Sequence, residues 1–204
     1  MQAPAGEEAA FEEGRRRAVA ARRRIRNFTF QKEIGDDWIG ELSESAETPP
    51  LDQVDNVYLL LGYKDRMLTV RLQEEELLEI PTLSVDAAAR DTSAAGGPAK
   101  QLGRWLKPVL KGQWGIQLKS WTQHGRFEMT ATPENTDVAP GSMRYHLFVI
   151  GTASKLHDLP EDTAWARRAI PRRDLVKLIE ARYTEFDVVL NAAHERYIIE
   201  LAKG

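Results

Sequence analysis

Apolar residues follow two rhythms along this chain, and the places where the rhythm changes lay out its elements. Residues 57–61, Val-Tyr-Leu-Leu-Leu, are an unbroken apolar run, as in a strand covered on both faces. After a polar turn at Tyr63-Lys64-Asp65-Arg66, the set Leu68, Val70 and Leu72 alternates with Met67, Thr69 and Arg71, a second strand with its aliphatic set on one side. Glu79-Ile80-Pro81 follows where a third short strand is expected to end. The period then lengthens. From Ala99 onward Leu102, Trp105, Leu106, Val109 and Leu110 recur at three and four, one face of a helix that Pro98 opens and that Pro108 is expected to kink or split. Ile116, Leu118, Trp121, Phe127 and Met129 then flank His124-Gly125, which reads as the turn of a hairpin, and residues 145–150 form a further apolar strand. Beyond Trp165 the chain reads as helical. Pro171 and Asp174 open one helix, with Asp174 as its cap and Leu175, Leu178 and Ile179 inward. Thr184 and Asp187 fit a capping box for a last helix striped by Phe186, Val189, Leu190, Ala193, Tyr197, Ile198 and Leu201. Strands mixed with helices in this order predict an α+β domain.

The first 27 residues differ from the rest. Glu7, Glu8, Glu12 and Glu13 precede Arg15, Arg16, Arg17, Arg22, Arg23, Arg24 and Arg26, a net charge of +3 against −6 for the other 177 residues. Glutamates four positions ahead of arginines, in an alanine-rich setting, predict a helix oriented well for its macrodipole, weakened by Gly14. With only Phe11, Val19 and Ile25 as large apolar residues it has little to bury. A solvated charged helix, a targeting segment and an arm docking on RNA or an acidic protein are the competing readings; four early glutamates count against a transit peptide in the form seen here. Residues 28–42 carry enough apolar side chains for a strap or short strand. Residues 43–50, ending in Pro49-Pro50, read as a linker, so the sequence predicts a charged N-terminal region over 1–50 and a domain over 51–204.

Composition removes several kinds of chemistry. The absence of cysteine excludes disulfides, thiolate zinc sites and a cysteine nucleophile. His124, His146, His157 and His194 share no ligand-like spacing. No apolar run is long enough to cross a bilayer. Gly96-Gly97 is followed by no Gly-Lys-Ser/Thr, so it is not a phosphate loop, and Glu74, Glu75 and Glu76 read as an exposed acidic loop. Trp105, Trp114 and Trp121 could stack nucleobases, but their place within apolar runs predicts buried packing. Arg167, Arg168, Arg172 and Arg173, with Lys177, form a second basic patch, read either as solvated surface or as a phosphate contact.

The order of strands around residues 98–116 resembles the Nudix fold, an α/β/α sandwich with a mixed sheet. The Nudix box, G-x5-E-x7-R-E-U-x-E-E-x-G-U with U aliphatic, aligns its final Gly-U with Gly115-Ile116 and an inner aliphatic position with Leu110. Its Arg-Glu falls on Pro108-Val109, and its metal-binding glutamate pair falls on Gly112-Gln113. Hard cations want carboxylate oxygens, so the resemblance implies a fold that has lost its metal site and is no enzyme, with no cofactor and no small-molecule substrate. The alternative is a divergent hydrolase of nucleoside diphosphate derivatives that draws its cation to Glu74, Glu75, Glu76 or Glu128.

A narrower resemblance rests on Tyr58-Leu59-Leu60-Leu61, Gly125-Arg126-Phe127, His146-Leu147-Phe148-Val149, and the spacing of Trp165, Asp174-Leu175, Leu178 and Tyr183. In these the chain is similar to the Nudix-like large-subunit proteins of mitochondrial ribosomes. That similarity implies a structural place in the mitochondrial matrix, among ribosomal proteins and ribosomal RNA, with the two arginine groups as RNA or partner contacts. A subunit of another RNA-processing assembly would read the same way.

Overall fold

The unbroken apolar run becomes the middle of the sheet because helices cover both of its faces. The computed structural model describes residues 29–30, 37–43, 45–86, 96–183 and 186–201. The predicted N-terminal helix, with Arg15, Arg16, Arg17, Arg22, Arg23, Arg24 and Arg26, lies outside them, as does Thr184 of the expected capping box. Strand β3 (Val54–Tyr63) pairs in parallel with β7 (Met143–Leu156), with Val57 opposite Leu147 and Leu60 opposite Ile150. On its other side it pairs antiparallel with β5 (Thr82–Ser84) and, further along, with β4 (Arg66–Leu72). The β3–β4 connection is the predicted turn, with Lys64 at a φ of 54°. Adding β6 (Ile116–Ala131), β2 (Trp38–Ser43), β1 (Thr29–Phe30) and β8 (Trp165–Pro171) gives the order β1-β2-β6-β7-β3-β4-β8, with β5 beside β3.

Alternate residues of the central strands enter opposite cores. Leu59, Leu61, Leu68, Val70, Leu147 and Val149 pack with Leu102, Trp105, Leu106, Leu110 and Trp114 of α1 (Gly97–Trp114). Leu60, Met67, Phe148 and Ile150 pack with Leu175 and Ile179 of α2 (Arg172–Arg182) and with Phe186, Leu190, Ala193 and Tyr197, the last three on α3 (Asp187–Leu201). The chain therefore forms the expected α/β/α sandwich with a mixed sheet. Thr69, a polar residue in a fully covered position, donates its hydroxyl to the Arg168 carbonyl at 3.1 Å, which removes the cost of burying it.

Several local expectations differ from the structure. The segment read as a hairpin around His124-Gly125 is one strand, β6, whose pairing with β7 shifts register between Gln123 and Gly125. The glycine marks a bulge and not a turn. Gln123, buried there, donates its amide to the carbonyls of Ser45 (3.1 Å) and Glu47 (2.8 Å), so the bulge holds the stretch read as a linker against the sheet. Pro108 does not split α1; it is exposed, and the hydrogen bond it removes is to the Arg104 carbonyl on the outer face. The helix expected to be capped by Asp174 starts earlier, at Arg172, with Asp174 in its first turn and Pro171 before it. The short strand expected to end at Pro81 instead begins just after it. Residues 165–171, read only as an approach to a helix, are a strand because they pair with β4 along its whole length.

Beneath α3 lies a ring cluster of Tyr58, Phe127, His146, Phe148 and Phe186, with Phe148 and Phe186 centroids 5.3 Å apart. Burial lowers the His146 pKa, against the opposing pull of Asp55. His194, on α3, is pushed down to about 4 by burial first and by the Arg172 cation second. A histidine kept neutral by the fold contributes stability that is fully present above its unfolded value of about 6.5 and is lost as pH falls toward the folded value. Unfolding free energy is therefore expected to fall by about 3 kcal/mol between pH 6.5 and pH 4 on account of His194. Urea midpoints measured across that interval check this, and His194→Gln should flatten the slope.

Candidate anion-binding groove

Helix α1 carries Lys100, Arg104, Lys107 and Lys111 and not one acidic residue. Spacings of four, three and four put all four cations on one face, and all four are exposed. Like charges at these spacings repel, so the three neighbouring pairs together cost the helix on the order of 1 kcal/mol. Lys100, in the first turn, also stands against the helix macrodipole. An anion laid along this face would relieve both costs.

Beside the cations runs a groove of about 480 Å³, lined by Ala99, Lys100, Gly103, Arg104, Lys107 and Trp121. Trp121 rises from β6 and is half-buried. A Cβ at Gly103 would meet its indole Nε1 and Cζ2 at 3.1 Å, so the glycine is what lets the ring lie this close to the helix. The floor is apolar and the rim cationic. Such a groove suits a ligand with a flat hydrophobic part and phosphate oxygens, which ammonium and guanidinium groups bind by charge-assisted hydrogen bonds.

The other tryptophans behave as the sequence predicts. Trp105 and Trp114 are buried; the Trp105 ring nitrogen donates to Asp86 at 3.2 Å, and Trp114 meets Trp165 edge-on at 5.8 Å between centroids. The signal for the groove is present in the sequence as the spacing of 100, 104, 107 and 111. The apolar periodicity that predicts α1 describes its inner face and says nothing of this outer one.

The arginines of the second basic patch separate into two places. Arg167 and Arg168 are neighbours on β8, and the Arg167 guanidinium turns inward, donating to the carbonyls of Trp114 and of His157, the latter at 2.9 Å. It ties the end of α1 to the β7–β8 connection, and burial lowers its pKa. Arg168 is exposed. Arg172 and Arg173 open α2 and, with Arg66, Asp65 and Pro171, line a second hollow of about 330 Å³.

The box positions carry no carboxylate. Gly112 is exposed and Gln113 half-buried at the end of α1. Glu128 pairs with Arg126 at 3.3 Å on β6, whereas Glu74, Glu75 and Glu76 follow β4, with β7 and β3 between. Three strand spacings separate them by at least about 14 Å, so they do not converge on one ion. Among the described residues no group of three or more histidine, aspartate or glutamate side chains is placed to hold a metal ion, and no helix is long and apolar enough to cross a membrane.

No family model matches the chain, and no curated protein matches it. Among solved structures it is similar to a pyrophosphohydrolase from Bacillus subtilis, at 12% identity over 69% of this chain and 77% of that one, with a TM-score of 0.43. It is also similar to a Nudix hydrolase from Nitrosomonas europaea (12% identity, 72% and 88% of the chains, TM-score 0.41) and to a Nudix-family hydrolase from Clostridium perfringens (9%, 72% and 97%, 0.40). One expectation is corrected by these. The sequence reading implied that the chain is no enzyme, yet the structures it is similar to are hydrolases by name, and the missing carboxylates speak for one helix alone. The likeness is of fold, and it transfers no activity to this chain.

Proposed function

We propose that the chain is an RNA-contacting, Nudix-like component of a ribonucleoprotein, namely the mitochondrial large ribosomal subunit in the matrix, where it sits among ribosomal proteins and ribosomal RNA. The observation that carries RNA contact is the outer face of α1, with four cations, no acid and an indole alongside. The narrower assignment to that particle rests on the short motifs at residues 58–61, 125–127 and 146–149. In this reading Arg168, Arg172, Arg173 and the arginines of residues 15–26 are further contacts to RNA or neighbouring chains, and the acidic remainder faces protein.

Two measurements test it. Tagged protein drawn from its native cell should sediment with large-subunit RNA and proteins; recovery as a free monomer overturns the assignment. In vitro, replacing Lys100, Arg104, Lys107 and Lys111 together by glutamine should weaken RNA binding at least about tenfold near 0.1 M salt and lower the salt slope by roughly one for each phosphate no longer neutralised. These side chains are exposed, so the fold should hold. The same preparation given nucleoside diphosphate derivatives with magnesium or manganese reads turnover directly, and turnover that disappears in Glu75→Gln or Glu128→Gln would assign hydrolysis to this chain.

A further inference from the structure

The groove contains more than a charged face needs. A duplex or a polyanion of any kind could be held by Lys100, Arg104, Lys107 and Lys111 alone, since the phosphates of a paired helix lie outside and its bases face each other. Such a ligand makes no use of an indole. Yet Trp121 is only half-buried, and it forms one wall of the groove beside the cations. Gly103 matters here too. A Cβ there would press on the ring at 3.1 Å and shift it by a few tenths of an ångström from the helix that carries the cations.

The dimensions agree with one unpaired nucleotide and its neighbours. From Lys100 to Lys107 the helix rises about 10 Å, so its cations are spread along the groove and can reach phosphates on either side of one nucleotide. The groove, at about 480 Å³, lies within the size range of small-ligand clefts, too small a volume to enclose a paired helix. Apart from its three cations the groove is lined by Ala99, Gly103 and Trp121, which offer no hydrogen-bonding side chain except the indole N–H, so it has little with which to tell one base from another.

We propose that this groove binds a single unpaired nucleobase of an RNA, stacked on Trp121, with its flanking phosphates on Lys100, Arg104 and Lys107. The proposal rests on the reading of the α1 face as an RNA contact and adds that the RNA there is single-stranded, with weak base preference.

The experiment compares a labelled eight-nucleotide oligouridylate with a labelled G·C-rich RNA duplex of about sixteen base pairs, by fluorescence anisotropy on the full chain. Trp121→Leu keeps an apolar side chain beside Gly103 and removes the ring. It should weaken single-strand binding about 5- to 150-fold, the loss expected when a base is deprived of its aromatic partner. Duplex binding and the salt slope should not change, and Trp121→Phe should recover part of the loss. Replacing Lys100, Arg104 and Lys107 by glutamine should weaken both ligands and flatten both salt slopes. If Trp121→Leu leaves single-strand binding intact, or weakens both ligands alike while its melting temperature is unchanged, base stacking is overturned and the charged-face reading stands. If the three-cation variant binds RNA as the unaltered protein does, the charged-face reading itself falls. Should Trp121→Leu melt early, Gly103→Ala supplies the second test: it moves the ring without removing it and should lower single-strand affinity selectively.

Discussion

Gly115→Ala is expected to cost the protein about 2–5 kcal/mol and to lower its melting temperature by about 5–15 °C. Two separate penalties meet at this position. Gly115 ends α1 with a φ of 61°, a left-handed conformation that costs a residue with a Cβ roughly 1–2 kcal/mol. The Cβ would also lie 2.6 Å from the His157 carbonyl oxygen, 2.9 Å from an Arg167 guanidinium nitrogen and 3.0 Å from the Asp158 carbonyl oxygen. Two of these are backbone atoms, and the His157 amide donates back to the Gly115 carbonyl at 2.8 Å, so relief means opening that bond or the Arg167 contacts. Asparagine separates the two penalties. It tolerates the left-handed region but keeps the Cβ, so Gly115→Asn should recover only the dihedral part; a variant as stable as the unaltered protein would show that the close approach to residues 157 and 158 is wrong. Gly112, three positions earlier, is the control. Nothing lies within 4 Å of its virtual Cβ and it sits inside the helix, so Gly112→Ala should stabilise by about 1 kcal/mol.

The second large effect is at Gly62, in the extended backbone of β3. A Cβ there would fall 1.6 Å from the Tyr197 hydroxyl oxygen and 2.1 Å from its ring carbon Cζ. Tyr197 is 3% exposed and belongs to the core between α3 and the sheet, so the ring can yield only by leaving that core. Gly62→Ala should therefore cost about 3 kcal/mol, seen as a fall of about 6–12 °C in melting temperature. A double-mutant cycle identifies the cause. In a Tyr197→Ala background the further cost of Gly62→Ala should nearly vanish, a coupling of about 2–3 kcal/mol; full additivity would mean that the two positions do not meet.

These two glycines show what can be read from the chain and what cannot. The central strands and α1 are legible because each buries a periodic set of residues whose neighbours in sequence decide its pattern: 57–61 without a break, 102–110 at three and four. Gly62 and Gly115 carry no such mark, since what makes them necessary comes from residues 135 and 42 positions away. The bulge at Gln123-Gly125 reads as a turn for the same reason. A histidine and a glycine between apolar residues satisfy a local rule for reversal, and only the length of β7 opposite them shows that the strand runs on. Residues 165–171 likewise become a strand through β4, which lies nearly a hundred residues earlier. The groove is hidden in another way. The four cations at 100, 104, 107 and 111 are in plain view, but the wall they share with Trp121 exists only once β6 is laid beside α1.

The parallel pairing of β3 with β7 has a consequence for how the molecule is made. Val54 meets Tyr145 and Leu60 meets Ile150, so the innermost rows of the sheet cannot close until β7 has left the ribosome, about ninety residues after β3. Until then β3 has only its hairpin with β4 and the short β5, and its other edge stands open, apolar and ready to pair with any extended segment nearby. A nascent chain stopped before residue 143 should accordingly need a chaperone to stay dispersed.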